Sequence, residues 1–332
     1  MFPEIWTTCH SAVSRLWPTT NIRWTTSRQT GLMMKILLAI PARGQNKYLH
    51  AMVGAIDALS VKPCKVLYMA DRPSKEERVE AMRAIGNHPL IEYFPVTKYP
   101  DYVGRPHMTA GVDWFLTGHV RNNAVAYMDN HPEIDAVVFI DGDCIPERDL
   151  VAGHEDILGQ EGPVVSVGKR KESMYGWDDQ RCKEAEINTD IFRDVPSEVT
   201  SEELFVDSGV VWTCNFGMNR NAIDALRKLN STLYGRNETF SSDFLGTWGG
   251  EDGFIGMECF YTGIPVFALK NGDNGIRHQF HERSDSKYNH VAFLYFLEEQ
   301  RERLLYLLDR YGLNSRYIKF VPREELLSNA SG

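Results

Sequence analysis

The stretch VVFIDGDCIPERDL, Val137 to Leu150, runs an apolar segment straight into two aspartates separated by one glycine. AVVFI (136–140) carries no polar side chain, as a strand covered on both faces requires. Like charges as close as Asp141 and Asp143 repel, so a pair at the end of such a strand needs either water or a cation. A hydrated surface turn satisfies the pair trivially. A divalent cation satisfies it chemically, because two carboxylates on one turn offer hard oxygen ligands to Mn²⁺ or Mg²⁺ and leave positions open for diphosphate oxygens. Gly142 between them is expected to let a bulky ligand approach the backbone. An EF-hand loop does not fit, since Ile145 and Pro146 stand where an oxygen ligand and a glycine are needed. A phosphatase of the haloacid dehalogenase type also carries an Asp-x-Asp after an apolar strand, with Asp141 as nucleophile. It expects that motif on the first strand, whereas here about a hundred residues of strand–helix alternation come first.

That alternation extends in both directions. KILLAI (35–40), CKVLYMA (64–70) and IEYFPV (91–96) read as strands. Tyr48–Leu59, Ser74–Ile85 and Thr109–Asp129 read as helices between them, with Ser74 as N-cap and Glu76 and Glu77 in the first turn. Such alternation with apolar strands implies an α/β fold whose mainly parallel sheet is flanked by helices. Ligands of these sheets bind beyond the carboxyl ends of the strands, where Asp71, Asp141 and Asp143 all fall.

Further on, PVVSVG (163–168), VVWTCNFGM (210–218) and IPVFAL (264–269) read as strands, Asn221–Leu229 as a helix and Val291–Tyr311 as a C-terminal helix. A helix is expected to follow Glu251-Asp252 through Tyr261. Residues 178–207 hold ten Asp or Glu against three Lys or Arg and little periodicity, which reads as a long loop. Glu251-Asp252 after Trp248-Gly249-Gly250 is either a pair of acids suited to a helix N-terminus or a carboxylate placed to take a proton from a hydroxyl. IRHQFHERS (276–284) brings His278 and His281 into one segment as candidate metal ligands; if it is extended, the two rings face opposite sides.

Composition bounds the partners. The chain of 332 residues is 43% hydrophobic, ample for a packed core, and its net charge of −9 supplies no global field for nucleic acid or acidic membranes. Its six cysteines are scattered without a CxxC pair, and no run approaches the roughly 20 apolar residues of a membrane span. Both features lead us to expect a soluble, cytoplasmic protein. Residues 1–33 have a single acid, Glu4, among Ser, Thr, Arg and Trp, as a transit peptide or an upstream extension would, and are expected to be poorly ordered.

In their order the motifs resemble those of GT-A fold glycosyltransferases, notably the family-2 type and the polypeptide GalNAc-transferase group. AIPARG (39–44) resembles their nucleotide-binding start, with Pro41 and Arg43. Asp71 is similar to the acid that contacts the nucleobase, and GHVRNNAVAYM (118–128) to a helix whose Arg121 and Asn122 approach the nucleotide-sugar. SGVVWTCNFGMNRNAI (208–223) resembles the acceptor-side strand and helix. The resemblance implies a catalytic domain over 34–285, with a nucleotide-sugar half (34–150) and an acceptor half (151–285), followed by a helical segment at 286–332. It implies Mn²⁺ or Mg²⁺ on Asp141, Asp143 and one of His278 and His281, and donor contacts from Pro41, Arg43, Asp71, Arg121, Asn122, Asp141, Trp248 and Gly250. It makes Glu251 and Asp252 catalytic, Asp252 being the general base if configuration inverts, the outcome favoured here. The expected donor is a nucleoside diphosphate sugar, a UDP-sugar first; the acceptor can be a glycan, protein, small molecule or modified nucleic acid. A sugar-nucleotide- or glycan-binding relic without catalysis is the non-enzyme alternative. Val120 replaces the small residue usual before Arg-Asn, and 178–207 has no counterpart in the family.

Overall fold

A strand without an exposed face has to sit inside its sheet, and the buried runs expected from the sequence do so. The computed structural model describes residues 34–98, 117–173, 184–185, 213–241, 255–256, 258–259, 264–269 and 273–279. Residues 1–33, the beginning of the helix expected from Thr109, all but two residues of 178–207 and the expected C-terminal helix lie outside them. In chain order the strands are β1 (Ile36–Ala42), β2 (Lys65–Asp71), β3 (Ile91–Val96), β4 (Ala136–Ile140), β5 (Cys144–Pro146), β6 (Val165–Val167), β7 (Arg170–Ser173), β8 (Glu184–Ala185), β9 (Asn215–Asn219), β10 (Val266–Ala268) and β11 (Ile276–His278). The helices are α1 (Leu49–Ala58), α2 (Lys75–Ile85), α3 (Thr117–Asp129), α4 (Leu150–Leu158) and α5 (Arg220–Tyr234). None is long and apolar enough to cross a membrane.

Seven strands form the main sheet in the order β10-β6-β9-β4-β1-β2-β3. β1 pairs in parallel with β2 and β4, setting Leu37 against both Lys65 and Val137. β9 alone runs the other way, antiparallel to β4 and β6, so the sheet is mixed and mainly parallel. At its centre Phe139 faces Phe216 in register, and Phe240 meets the Phe139 ring edge-on at 5.2 Å between centroids. A second, four-stranded sheet has the order β5-β11-β7-β8.

Local signals account for the ends of the elements. Ser74 Oγ accepts the Glu77 N–H at 3.1 Å while Glu77 Oε2 accepts the Ser74 N–H at 2.7 Å, a reciprocal cap on α2. β9 passes directly into α5 because Asn219 ends the strand and caps the helix, its Oδ1 accepting from Ala222 N at 3.0 Å. α4, β5, β7, β8 and β11 were not expected. Four of the five are strands of two to four residues, too short to show a period of two.

Inside the sheet a polar set is sealed from solvent. His154 of α4, Ser166 of β6 and Asn215 of β9 are each 0% exposed. Asn215 Nδ2 donates to Lys169 O at 3.0 Å, so its Oδ1, 2.8 Å from His154 Nε2, accepts the imidazole proton. His154 Nδ1, 2.7 Å from Ser166 Oγ, then accepts the hydroxyl proton. A Cβ at Gly217 would lie 2.6 Å from Ser166 Oγ and 2.8 Å from His154 Nδ1, so the network fits only against glycine. This serine–histidine–amide row resembles a hydrolase constellation, but with no access to solvent it is a strut.

Burial drives the His154 pKa down to about 4, against a smaller upward pull from Asn215. The unfolded chain therefore takes up a proton near the ordinary histidine pKa, which the folded chain refuses until about pH 4. Stability from this group is intact above the unfolded value and falls as pH drops, by about 2 kcal/mol from pH 7 to pH 5. Urea denaturation at the two pH values should show that loss in the wild type and a distinctly shallower one in His154→Gln; equal slopes would refute it.

Candidate active site at the carboxyl edge of the sheet

Because β1, β2 and β4 are parallel, their carboxyl ends open on one edge, with the ends of β2 and β4 separated by β1, about 10 Å across. Two charged clusters sit there.

The first is built on Asp71, the last residue of β2, whose side chain is 0% exposed. An isolated carboxylate could not be buried so, but Arg43 Nη1, just beyond β1, lies 3.2 Å from Oδ2. Arg72 brings Nε to 3.3 Å from Oδ1 and Nη2 to 3.4 Å from Oδ2. Arg72 takes a left-handed φ of 43°, uncommon for a side chain of this size. Its N–H donates to Val96 O at 3.1 Å, so the turn is tied to β3. The aspartate faces inward and the two arginines, partly exposed, present the polar surface.

The second cluster is built on the Asp141–Cys144 turn. The Gly142 N–H donates to Pro41 O at 2.9 Å, and a Cβ on Gly142 would lie 2.7 Å from Ala42 Cβ and 3.0 Å from Gln45 Oε1. The close approach at this glycine is thus to the end of β1, correcting the expectation that it makes room for a ligand. Arg121 of α3 is 1% exposed, and its Nη2 reaches Asp141 Oδ1 at 3.3 Å. Asp141 keeps a third of its side chain in solvent. Asp143 is nearly buried, and His278 Nε2 approaches its Oδ2 at 3.4 Å. The pairing of β5 with β11 makes that meeting possible, setting His278 opposite Cys144, with the Gln279 N–H donating to Asp143 O at 2.8 Å.

Ligand atoms of Asp141, Asp143 and Cys144 all lie within 4.8 Å of one another. Burial, with Asp143 beside it, pushes the Cys144 thiol well above its ordinary pKa, so the sulfur keeps its proton and points it at Asp143 Oδ1, 3.4 Å away. Two carboxylates, with an imidazole beside Asp143, offer donors suited to a hard or borderline divalent cation such as Mn²⁺ or Mg²⁺.

Asn122 follows Arg121 but turns elsewhere. Its Nδ2 donates to Phe240 O at 2.7 Å, and its Oδ1 accepts from Thr239 N at 3.1 Å and Phe240 N at 2.9 Å. The amide fixes a backbone segment, and Phe240 in turn lies under the Arg121 guanidinium, 5.9 Å from ring centroid to Cζ. Trp248, Gly250, Glu251, Asp252 and His281 lie outside the described residues. Sequence reasoning passed over Arg72, Phe240 and Glu147. Glu147 accepts from Lys171 Nζ at 2.7 Å and Arg277 Nε at 3.2 Å, and its only sequence signal is an acid directly after a proline that ends a short apolar run.

No protein-family model matches the chain, and no curated protein does. Solved structures are similar to it. The mannosyltransferase PcManGT from Pyrobaculum calidifontis, in complex with GDP-Man and Mn²⁺, aligns with a TM-score of 0.51 at 13% identity, over 99% of this chain and 75% of that one. Residues 1–349 of S. aureus TarS in complex with UDP-GlcNAc align at 0.50 and 15%, over 80% of this chain and 66% of that one. GalNAc-T7 with UDP, GalNAc and Mn²⁺ aligns at 0.50 and 10%, over 91% of this chain and 55% of that one. The chain therefore spans 55 to 75% of the length of these structures. At such identities the likeness establishes the fold, a mixed α/β sheet of the GT-A type.

Within the site the Asn122 amide is open to a direct test. Each of its bonds is worth about 1 kcal/mol net, so Asn122→Ala should lower the urea-unfolding free energy by about 2–3 kcal/mol. A loss below about 0.5 kcal/mol would show that the Thr239–Phe240 segment is held by something else.

Proposed function

We infer that the chain is a metal-dependent glycosyltransferase that moves a sugar from a nucleoside diphosphate donor to an acceptor hydroxyl. The observation that carries this reading is His278 beside Asp143, at 3.4 Å, on the turn that also holds Asp141 at the carboxyl edge of the sheet. A strand-end carboxylate pair with an imidazole brought from more than a hundred residues away is not what a hydrated surface turn assembles. The solved structures of the same fold support it, since they are complexes with GDP-Man and Mn²⁺, with UDP-GlcNAc, and with UDP, GalNAc and Mn²⁺.

Asp141, Asp143 and His278 would hold the cation, which when bound neutralises charge on the departing diphosphate. Arg121 holds one oxygen of Asp141, whose side chain is one third exposed at the rim. Its guanidinium also keeps positive charge behind the turn, offsetting the repulsion between two neighbouring carboxylates. The Arg43–Asp71–Arg72 cluster, one strand away, offers guanidinium donors to a nucleotide while Asp71 fixes their orientation. Glu251 and Asp252, assigned by resemblance, complete the reading as acceptor-side acids, with Asp252 removing the hydroxyl proton if transfer inverts configuration. The phosphatase alternative requires Asp141 as a nucleophile on a first strand; here it follows β4, with one oxygen engaged by Arg121.

A thermal-shift screen of UDP- and GDP-sugars should give stabilisation that requires Mn²⁺ or Mg²⁺, and mass spectrometry should detect release of the nucleoside diphosphate. Asp143→Ala should abolish the metal-dependent shift and cut kcat/KM by about a hundredfold or more. Cys144→Ser should leave metal affinity within about twofold, because the two carboxylates and His278 are the proposed donors and the thiol hydrogen-bonds to Asp143. Binding without turnover would identify a sugar-nucleotide-binding relic, and no binding to any donor would sink the reading.

A further inference from the structure

The residue that brings His278 to Asp143 is not itself at the metal rim. β11 is a strand of three residues, so its own side-chain pattern says little about its register. Glu147, one residue beyond β5 and 6% exposed, meets it from the side. The backbones of Glu147 and Gly275 are joined by a hydrogen bond from Glu147 N to Gly275 O at 3.0 Å. The Glu147 carboxylate closes the same link, its Oε2 accepting from Gly275 N at 3.0 Å. A Cβ at Gly275 would lie 2.8 Å from that oxygen, so the link fits only glycine. The other oxygen, Oε1, takes Lys171 Nζ at 2.7 Å and Arg277 Nε at 3.2 Å.

Those two cations are register partners on neighbouring strands, Arg277 of β11 opposite Lys171 of β7. Like charges so placed push their strands apart unless an anion sits between them. Glu147 is that anion. Because neighbours alternate along a strand, fixing Arg277 towards Glu147 turns the adjacent His278 to the other face. From Asp149 N to Asp273 O at 2.7 Å through Glu147–Gly275 to Gln279 N and Asp143 O at 2.8 Å, one continuous zipper joins the two segments.

We propose that Glu147 is the positioning residue of the metal site, clamping Gly275, Arg277 and Lys171 so that β11 holds its register and presents His278 to Asp143. This rests on the metal reading above and assigns to this chain a carboxylate that supports the site without touching the cation.

The test is Mn²⁺ binding in the presence of UDP or GDP, whichever stabilises the wild type more, read as loss of the free Mn²⁺ signal in electron paramagnetic resonance. Glu147→Gln removes the charge while keeping the shape, and should weaken Mn²⁺ by about tenfold or more. In a His278→Ala background the same change should cost less than about twofold, because the histidine it positions is gone. Arg277→Gln, on a half-exposed partner, should weaken Mn²⁺ in the same direction and serves if Glu147→Gln does not fold. Additive losses in the double variant, or Mn²⁺ binding unchanged in Glu147→Gln and Arg277→Gln, would overturn the positioning role and leave the metal reading standing. A wild type that binds no Mn²⁺ with either diphosphate would overturn the metal reading itself, and this role with it.

Discussion

Every acid described at the carboxyl edge is met by a basic side chain that arrives from elsewhere in the chain, and that matching is the constraint on which the site depends. Asp71 is met by Arg43 as well as by its neighbour Arg72, Asp141 by Arg121, Asp143 by His278, and Glu147 by Lys171 and Arg277. A nearly buried carboxylate without such a partner would take up a proton instead. The partners come from the β1 turn, α3, β7 and β11, so the edge exists only when those elements are docked. Folding the sheet and assembling the site are one event.

Geometry decides what the matched charges can do. Behind the turn Arg121 is buried, whereas Asp141 keeps part of its side chain in solvent. In that pair negative charge is displayed outward and positive charge held inward. One strand away the order is reversed, with Asp71 sealed inside and Arg43 and Arg72 at the surface. An edge that offers carboxylates at one place and guanidiniums about 10 Å away suits a ligand that pairs a cation with an anionic, hydrogen-bonding nucleotide.

How far this could be read from the chain follows from the range of the interactions. Strands β1 to β4 and helices α1 and α2 were legible within a few residues, because uninterrupted apolar runs and the Ser74 cap are local facts. Asp141 and Asp143 stood out for the same reason. β5, β7 and β11 were not legible, since strands of three or four residues owe their pairing to partners a hundred or more positions away. His278 was visible only as one of two histidines in a short segment; that it is extended and meets Asp143 depends on the pairing of β11. Asn122 shows the reverse difficulty. Its place after Arg121 suggested a donor contact, while its amide is engaged by the Thr239–Phe240 backbone, a partner with no mark in the sequence.

His154 and His278 illustrate how burial separates scaffold from chemistry. His154 is enclosed on all sides, satisfied at both nitrogens by uncharged partners, and therefore kept neutral. His278 sits at a sheet edge, partly exposed, with a carboxylate at one nitrogen. Exchanging their surroundings would ruin both, since an imidazole beside a carboxylate in the sealed layer would invite a buried charge, and one held by serine and asparagine at the rim would have no lone pair to give. The glycines enforce the division. Gly217 leaves the space that His154 fills, and Gly275 leaves the space through which Glu147 governs the strand carrying His278. Where backbone and polar side chains approach this closely, a missing Cβ is what lets an interior strut and a rim ligand be built from the same residue type.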